Sequence, residues 1–187
     1  MAKFFDRVRE SYHTGRYRKV KELVGGRKRD LLDIGCGRPC DSMEDGSFIR
    51  YVGYGIGADT KDCSPGFDFR KCDILDLPFP DKSFDVVVAM EVLEHVDDVD
   101  LALKNVSRVL RDDGVFIMST PNNNLLWRTV WFFWVRTVGR MWNGTHETNL
   151  KKGEWLALLG KYFAVEASQT HWHVDLIVKM TKTGKRS

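Results

Sequence analysis

Four stretches of this 187-residue chain end in residues suited to chemistry rather than packing. In Leu31-Leu32-Asp33-Ile34-Gly35-Cys36-Gly37 an acid sits inside an apolar run that breaks on two glycines spaced by one residue. Tyr51 to Asp59 closes on an acid followed by Thr60, Asp73-Ile74 comes next, and Phe84 to Met90 runs into Glu91-Val92-Leu93-Glu94-His95. Glycines so spaced let the backbone turn tightly and bring N–H groups close to a ligand. An open parallel sheet binds its ligands beyond the carboxyl ends of its strands, so acids recurring at strand ends describe one site. Carboxylates in such an array accept hydrogen bonds from hydroxyl and ammonium groups and attract a cation. His95, His146 with Glu147 beside it, His171 and His173 are the groups available to take a proton.

The elements that must position these residues are legible from apolar spacing. Residues 3 to about 24 read as a helix stopped by Gly25-Gly26, with Gly15 weakening its middle. Phe84 to Met90 is almost continuously apolar, the pattern of a central strand covered on both faces. Val99, Ala102, Leu103, Val106, Val109 and Leu110 keep a 3.6-residue period, with Asp97 or Asp98 as N-cap and Gly114 just past the end. Val115 to Thr120 is the fifth strand. A helix over 154–161 and two strands, Phe163 to Ser168 and Val174 to Thr181, close the chain. Tyr51 to Asp59, with glycines at 53, 55 and 57, reads as a strand in close backbone contact, and residues 67–70 as a brief third strand.

Charge is unevenly spread beneath a formal net charge of +3. Residues 1–30 hold ten Lys/Arg against four Asp/Glu, residues 31–120 nine against eighteen, and residues 121–187 ten against four. An acidic core suits a cationic ligand, and basic flanks suit an anionic substrate or surface. Cys36, Cys40, Cys63 and Cys72 form no CxxC pair and no leader precedes them, so they read as reduced thiols in a cytoplasmic protein without a metal site.

The order LLDIGCG, an acid after strand two, CDILDLPFPDKSFDVVVAMEVLEHV, then RVLRDDG before VFIMSTPN resembles the class I S-adenosylmethionine-dependent methyltransferases, over roughly residues 30 to 122. The resemblance implies an α/β fold: a Rossmann-like, seven-stranded, mostly parallel sheet flanked by helices, the last strand antiparallel, with a small helical cap. It implies one domain over 1–187, made of an N-terminal helical segment (1–29), a cofactor-binding core (30–120), a cap and substrate segment (121–150) and a C-terminal helix and strand pair (151–187). It implies methyl transfer from S-adenosylmethionine to a small-molecule or lipid-like acceptor. Asp33 would meet the cofactor ammonium, Gly35, Cys36 and Gly37 would pass beside its methionine part, and Asp59 with Thr60 would bind the ribose hydroxyls. Asp73 and Ile74 N–H would take the adenine, while Met90 and Glu91 would line the methyl-bearing face. His146 is the favoured base, lying where relatives close the substrate side.

Two departures stand beside that likeness. Pro39 replaces a third glycine, and the helix that should follow is curtailed, so fewer N–H groups face the cofactor carboxylate; Arg16, Tyr17 or Arg38 would compensate. These departures keep open a catalytically silent cofactor-binding subunit. A nicotinamide-dependent oxidoreductase is disfavoured because the three-glycine turn is absent. Leu125 to Trp142 is the most individual stretch. Trp127, Val130, Trp131, Trp134, Val135, Val138, Met141 and Trp142 share one helical face, opposite Arg128, Arg136, Arg140, Thr129 and Thr137. This pattern suits a lid over the sheet or an interfacial helix touching a membrane surface or a lipid-like substrate. No nucleic-acid-binding module is visible.

Overall fold

A computed structural model describes residues 2–25, 30–36, 48–60, 68–134, 136 and 150–182. Its elements run α1 (Ala2–Val24), β1 (Leu31–Ile34), α2 (Phe48–Val52), β2 (Ile56–Asp59), β3 (Phe69–Lys71), β4 (Phe84–Met90), a 3-10 turn (Leu93–His95), α3 (Val99–Val109), β5 (Leu110–Pro121), α4 (Leu125–Trp134), α5 (Lys152–Leu159), β6 (Phe163–His171) and β7 (Asp175–Lys182). The strands join one sheet in the order β3-β2-β1-β4-β5-β7-β6. Pairings from β3 to β5 are parallel, and β7 runs antiparallel to both β5 and β6. This is the expected seven-stranded, mostly parallel architecture.

Alternation along the strands divides the core between two faces. Val86, Val88, Ile117 and Ile177 pack beneath Tyr17, Val20 and Val24 of α1. Val87, Ala89, Phe116, Met118 and Val178 pack on the opposite face against Leu103 and Val106 of α3 and Trp155 of α5. β4 lies between β1 and β5 with four of its residues wholly buried, which is why it reads as a continuous apolar run. Asp98 caps α3 by accepting from Leu101 N at 2.9 Å, a contact that contributes about 1 kcal/mol to such a helix.

Three local readings are corrected. Tyr51 and Val52 end helix α2 rather than begin a strand; Gly53 (φ 78°) and Gly55 (φ 108°) make the turn into β2, because both need the left-handed region that a strand does not use. A Cβ on Gly55 would also lie 2.7 Å from the Leu31 carbonyl. Gly114 is not the stop of α3, since the backbone turns extended at Leu110; Gly114 lies within β5, where the β4 register shifts between Phe84 and Val86. Gly15 does not break α1, which runs unbroken past it. A Cβ there would lie 2.9 Å from His171 Cε1, so the glycine admits a close approach of α1 to the β6–β7 turn.

Candidate active site

The parallel register aligns the strand ends from which the site is built. Asp33 and Ile34 pair with Gly57 and Ala58 of β2, Ile34 also pairs with Ala89 of β4, and Met90 pairs with Ser119 of β5. Gly35 follows at φ 68°, and a Cβ there would fall 2.3 Å from Val92 Cγ2. The glycine is therefore needed for the loop after β1 to pass the loop after β4. Gly35 N–H and Cys36 N–H both donate to the Ala58 carbonyl, at 2.7 and 3.2 Å, tying the turn to the end of β2. The first two N–H groups of the turn thus serve the fold. Gly37, Arg38, His146 and Glu147 lie outside the described residues.

Asp33 is 1% exposed and faces α1 and α2, accepting from Ile49 N at 3.1 Å through Oδ2. Burial pushes its carboxyl up to about 7, the Ile49 bond opposes this, and the charge of Asp59 adds to it. Asp59 is half-buried at the end of β2, its carbonyl accepting from Cys72 N, with Thr60 exposed beside it. Burial pushes the Cys72 thiol up, helped by Asp73, Asp59 and Asp76 in that order. Asp59 is therefore within electrostatic reach of both Asp33 and Cys72, and the acids of three chain segments share one rim. Asp73 is exposed, and its Oδ1 accepts from Leu75 N in a local turn. The side chain of Ile74 is buried in the core, so only its backbone can serve a ligand. Cys36 is buried and Met90 half-buried in the cluster beneath α1.

A second group of charges gathers where β4, β5 and β7 meet α1. Glu91 has a left-handed backbone (φ 54°), uncommon for a residue with a side chain. Its Oε1 accepts from Ser119 Oγ at 2.8 Å and pairs with Arg16 Nη1 at 3.3 Å. Arg16 also reaches Asp175 Oδ2 at 3.7 Å, and Tyr12 donates to that same oxygen. Burial pushes Asp175 up to about 7 and the Glu91 charge adds to it; Arg16 and the Tyr12 hydrogen bond pull the other way. Glu94 is 1% exposed, its carboxylate oxygens have no geometric hydrogen-bond partner among the described residues, and burial followed by the charge of nearby Glu91 holds it well above the usual carboxylate range.

Sequence reasoning singled out Glu91 and saw Arg16 only as a cofactor ligand. Arg16 instead pairs within the protein, and Tyr12, Ser119 and Asp175 were missed. A basic residue directly before Tyr17 on the face that continues through Val20 and Val24 was the available signal. The histidines divide: His171 is buried with Nε2 on the Tyr12 carbonyl, while His95 and His173 are exposed. Above the far ends of β5 and β7, Asn124 accepts from Trp127 N and donates to the His173 carbonyl, linking α4 to the β6–β7 turn.

Residues 32–118 match the family model of the methyltransferase domain. A protein of Mycolicibacterium smegmatis named a probable S-adenosylmethionine-dependent methyltransferase is 35% identical over 60% of this chain and 47% of its own length. A ubiquinone biosynthesis O-methyltransferase of Sinorhizobium medicae is 33% identical over 76% of this chain and 60% of its own. The chain thus spans about half the length of these relatives. Among solved structures, the 1,6-didemethyltoxoflavin-N1-methyltransferase of Burkholderia thailandensis, with bound 1,6-didemethyltoxoflavin and S-adenosylhomocysteine, has the same fold. Its TM-score is 0.63 at 20% identity, covering 96% of this chain and 87% of that one. Sheet order, acidic rim and family match together define a Rossmann-like, cofactor-binding α/β domain. The family match and the relatives support a class I S-adenosylmethionine-dependent methyltransferase domain over residues 32–118.

Proposed function

We propose that the protein transfers a methyl group from S-adenosylmethionine to a small-molecule acceptor. The observation that carries this reading is that Asp33, Asp59 and Asp73 lie in or just after neighbouring strands of the sheet, with Asp59 raising the Asp33 carboxyl and Asp59 and Asp73 both acting on the Cys72 thiol. Bound there, the cofactor supplies an electrophilic methyl carbon on a sulfonium. The donor set fits it, since the array is rich in acceptors for ammonium and hydroxyl groups. Asp59 with Thr60 would hold the ribose. Asp73 would meet the adenine amino group through the oxygen its turn does not use, and the Ile74 backbone would meet the ring edge. Asp33, oriented by Ile49 N–H, would face the ammonium from within the wall. Positioning and exclusion of water supply much of the acceleration in such a displacement.

A finer reading, a lipid-like acceptor met at a membrane surface, is favoured by α4. Leu125 (80% exposed), Leu126, Phe132 and Phe133 lie in solvent there, beside exposed Arg128 and Arg136. Trp127 and Trp131 stack at 5.3 Å on the half-buried side. No helix among the described residues is long and apolar enough to cross a membrane. The name of the Sinorhizobium relative supports an oxygen acceptor, and that of the Burkholderia enzyme shows that this fold also carries transfer to nitrogen.

Calorimetry with S-adenosylhomocysteine against NAD, followed by transfer of labelled methyl into fractionated cell extract, tests the proposal. S-adenosylhomocysteine binding with label entering an organic-soluble fraction is the expected result. Binding without any transfer would leave the silent cofactor-binding subunit, and NAD binding alone would overturn the reading.

A further inference from the structure

The group around Glu91 holds more acid than one arginine balances. Glu91 and Asp175 pair with Arg16 and Glu94 lies in its field, and among the described residues Arg16 Nε and both oxygens of Glu94 are buried without a geometric hydrogen-bond partner. Such orphaned groups are rare in folded proteins and call for an explanation. Within this cluster Glu94, Asp175 and Arg16 are shut away from water, whereas the Glu91 side chain is 26% exposed. Glu91 is also the residue that leaves β4 at the ligand-binding edge of the sheet, in a left-handed backbone that Glu91 N–H and Ser119 Oγ pin to β5. Strained backbone held by its surroundings clusters at reactive sites.

We propose that Glu91 is the general base toward the methyl acceptor, with Arg16 and Ser119 as positioning residues, and that the acceptor group is an acidic hydroxyl of the phenol or enol kind. The inference rests on the methyltransferase reading above. In the proton step the acceptor O–H bond breaks, the proton passes to the Glu91 carboxylate, and the electron pair stays on the acceptor oxygen. A carboxylate is a weak base, so it is matched to a hydroxyl near the acidity of tyrosine, about 10, rather than to an alkyl alcohol. Glu91 Oε1 is closer to Arg16 Nη1, at 3.3 Å, than Asp175 Oδ2 is, at 3.7 Å, and of the three acids only Glu91 reaches solvent. The two histidines beside this cluster are engaged, His13 with Nδ1 3.1 Å from Arg16 Nη2 and His171 with Nε2 on the Tyr12 carbonyl.

The test compares Glu91→Gln, Glu91→Asp and Ser119→Ala with the wild type. The readouts are S-adenosylhomocysteine affinity by calorimetry and labelled-methyl transfer into the extract fraction that the wild type labels. Glu91→Gln should keep its affinity within about 3-fold while transfer falls by about 100-fold or more, the range of general-base contributions. Glu91→Asp should recover part of the loss. Ser119→Ala, a change small enough to leave the fold intact if Glu91→Gln does not, should lower kcat by about 10-fold without raising KM for S-adenosylmethionine. The labelled product should be an aryl or enol ether.

Undiminished transfer by Glu91→Gln would overturn the proposal. So would affinity and transfer falling together, which would make Glu91 a cofactor ligand, or a product methylated on nitrogen or on an alkyl alcohol. A wild type that binds S-adenosylhomocysteine yet labels nothing would refute this inference and the catalytic reading together. A wild type that binds no S-adenosylhomocysteine would refute the cofactor reading first.

Discussion

Asp33 carries the clearest electrostatic signature among the rim acids. Its carboxyl rises from 3.8 to about 7 on folding, so the folded state binds its proton more tightly than the unfolded chain does. Stability from this group is fully present below about pH 4 and is lost as pH rises through 7. At 1.36 kcal/mol per unit the swing is of the order of a few kcal/mol. Asp33→Asn, which keeps an oxygen for Ile49 N–H, should therefore flatten the dependence of Tm on pH between 5 and 8, and thermal melts across that range check it. At this scale the sequence was informative wherever residue type alone dictates position. An acid inside an apolar strand and a glycine before a crowded turn are both visible in LLDIGCG. Invisible was any interaction joining residues far apart in the chain: Arg16 to Glu91 spans 75 positions and Tyr12 to Asp175 spans 163, so no local pattern announces either.

Among the elements, α1 is the one whose contacts overrule its propensities. A helix-interior glycine costs about 1 kcal/mol relative to alanine, so Gly15→Ala would ordinarily stabilise. Here the added Cβ would meet the His171 ring, itself anchored to the Tyr12 carbonyl at 2.9 Å. Gly15→Ala alone should lower stability by about 1 kcal/mol, whereas in a His171→Ala background it should raise it by a similar amount. Urea melts of the four proteins close the cycle. The same element shows why its continuity was harder to foresee than that of α3. α3 announces itself through a strict apolar period and a capping aspartate, while α1 is held by a β6–β7 turn that follows 150 residues later. β2 was misjudged at its start because glycine alternation mimics a strand, yet Gly53 and Gly55 occupy backbone that only a turn requires.

For the molecule as a whole, the distribution of apolar and basic surface carries a prediction of its own. Leu125, Leu126, Phe132 and Phe133 together form an exposed patch larger than isolated surface residues explain, and the basic surplus of residues 121–187 surrounds it in sequence. If an interface with anionic lipid is its purpose, the protein should sediment with anionic liposomes at low salt. Binding should weaken as salt rises, and by about 10-fold on Phe132→Ser with Phe133→Ser. Sedimentation indifferent to lipid charge and to both substitutions would return α4 to the role of a lid. Fold class, strand count and the antiparallel ending came with the family resemblance, while the apolar runs placed the individual strands. The arrangement of α4 was legible on one side only: Trp127 and Trp131 are half-buried as the tryptophan face implies, while Phe132 and Phe133 stay exposed beside Arg128 and Arg136.

The placement of β7 between β5 and β6 has a consequence for biogenesis. β5 is complete at residue 121, but its outer edge has no partner until residues 175–182 have been synthesised. Through that interval an apolar ladder stands open to neighbouring nascent chains, as unpaired edges do. The β6–β7 hairpin, linked by a short turn, can assemble first and dock as a unit, so the slowest event in reaching the native state should be the seating of that hairpin against β5.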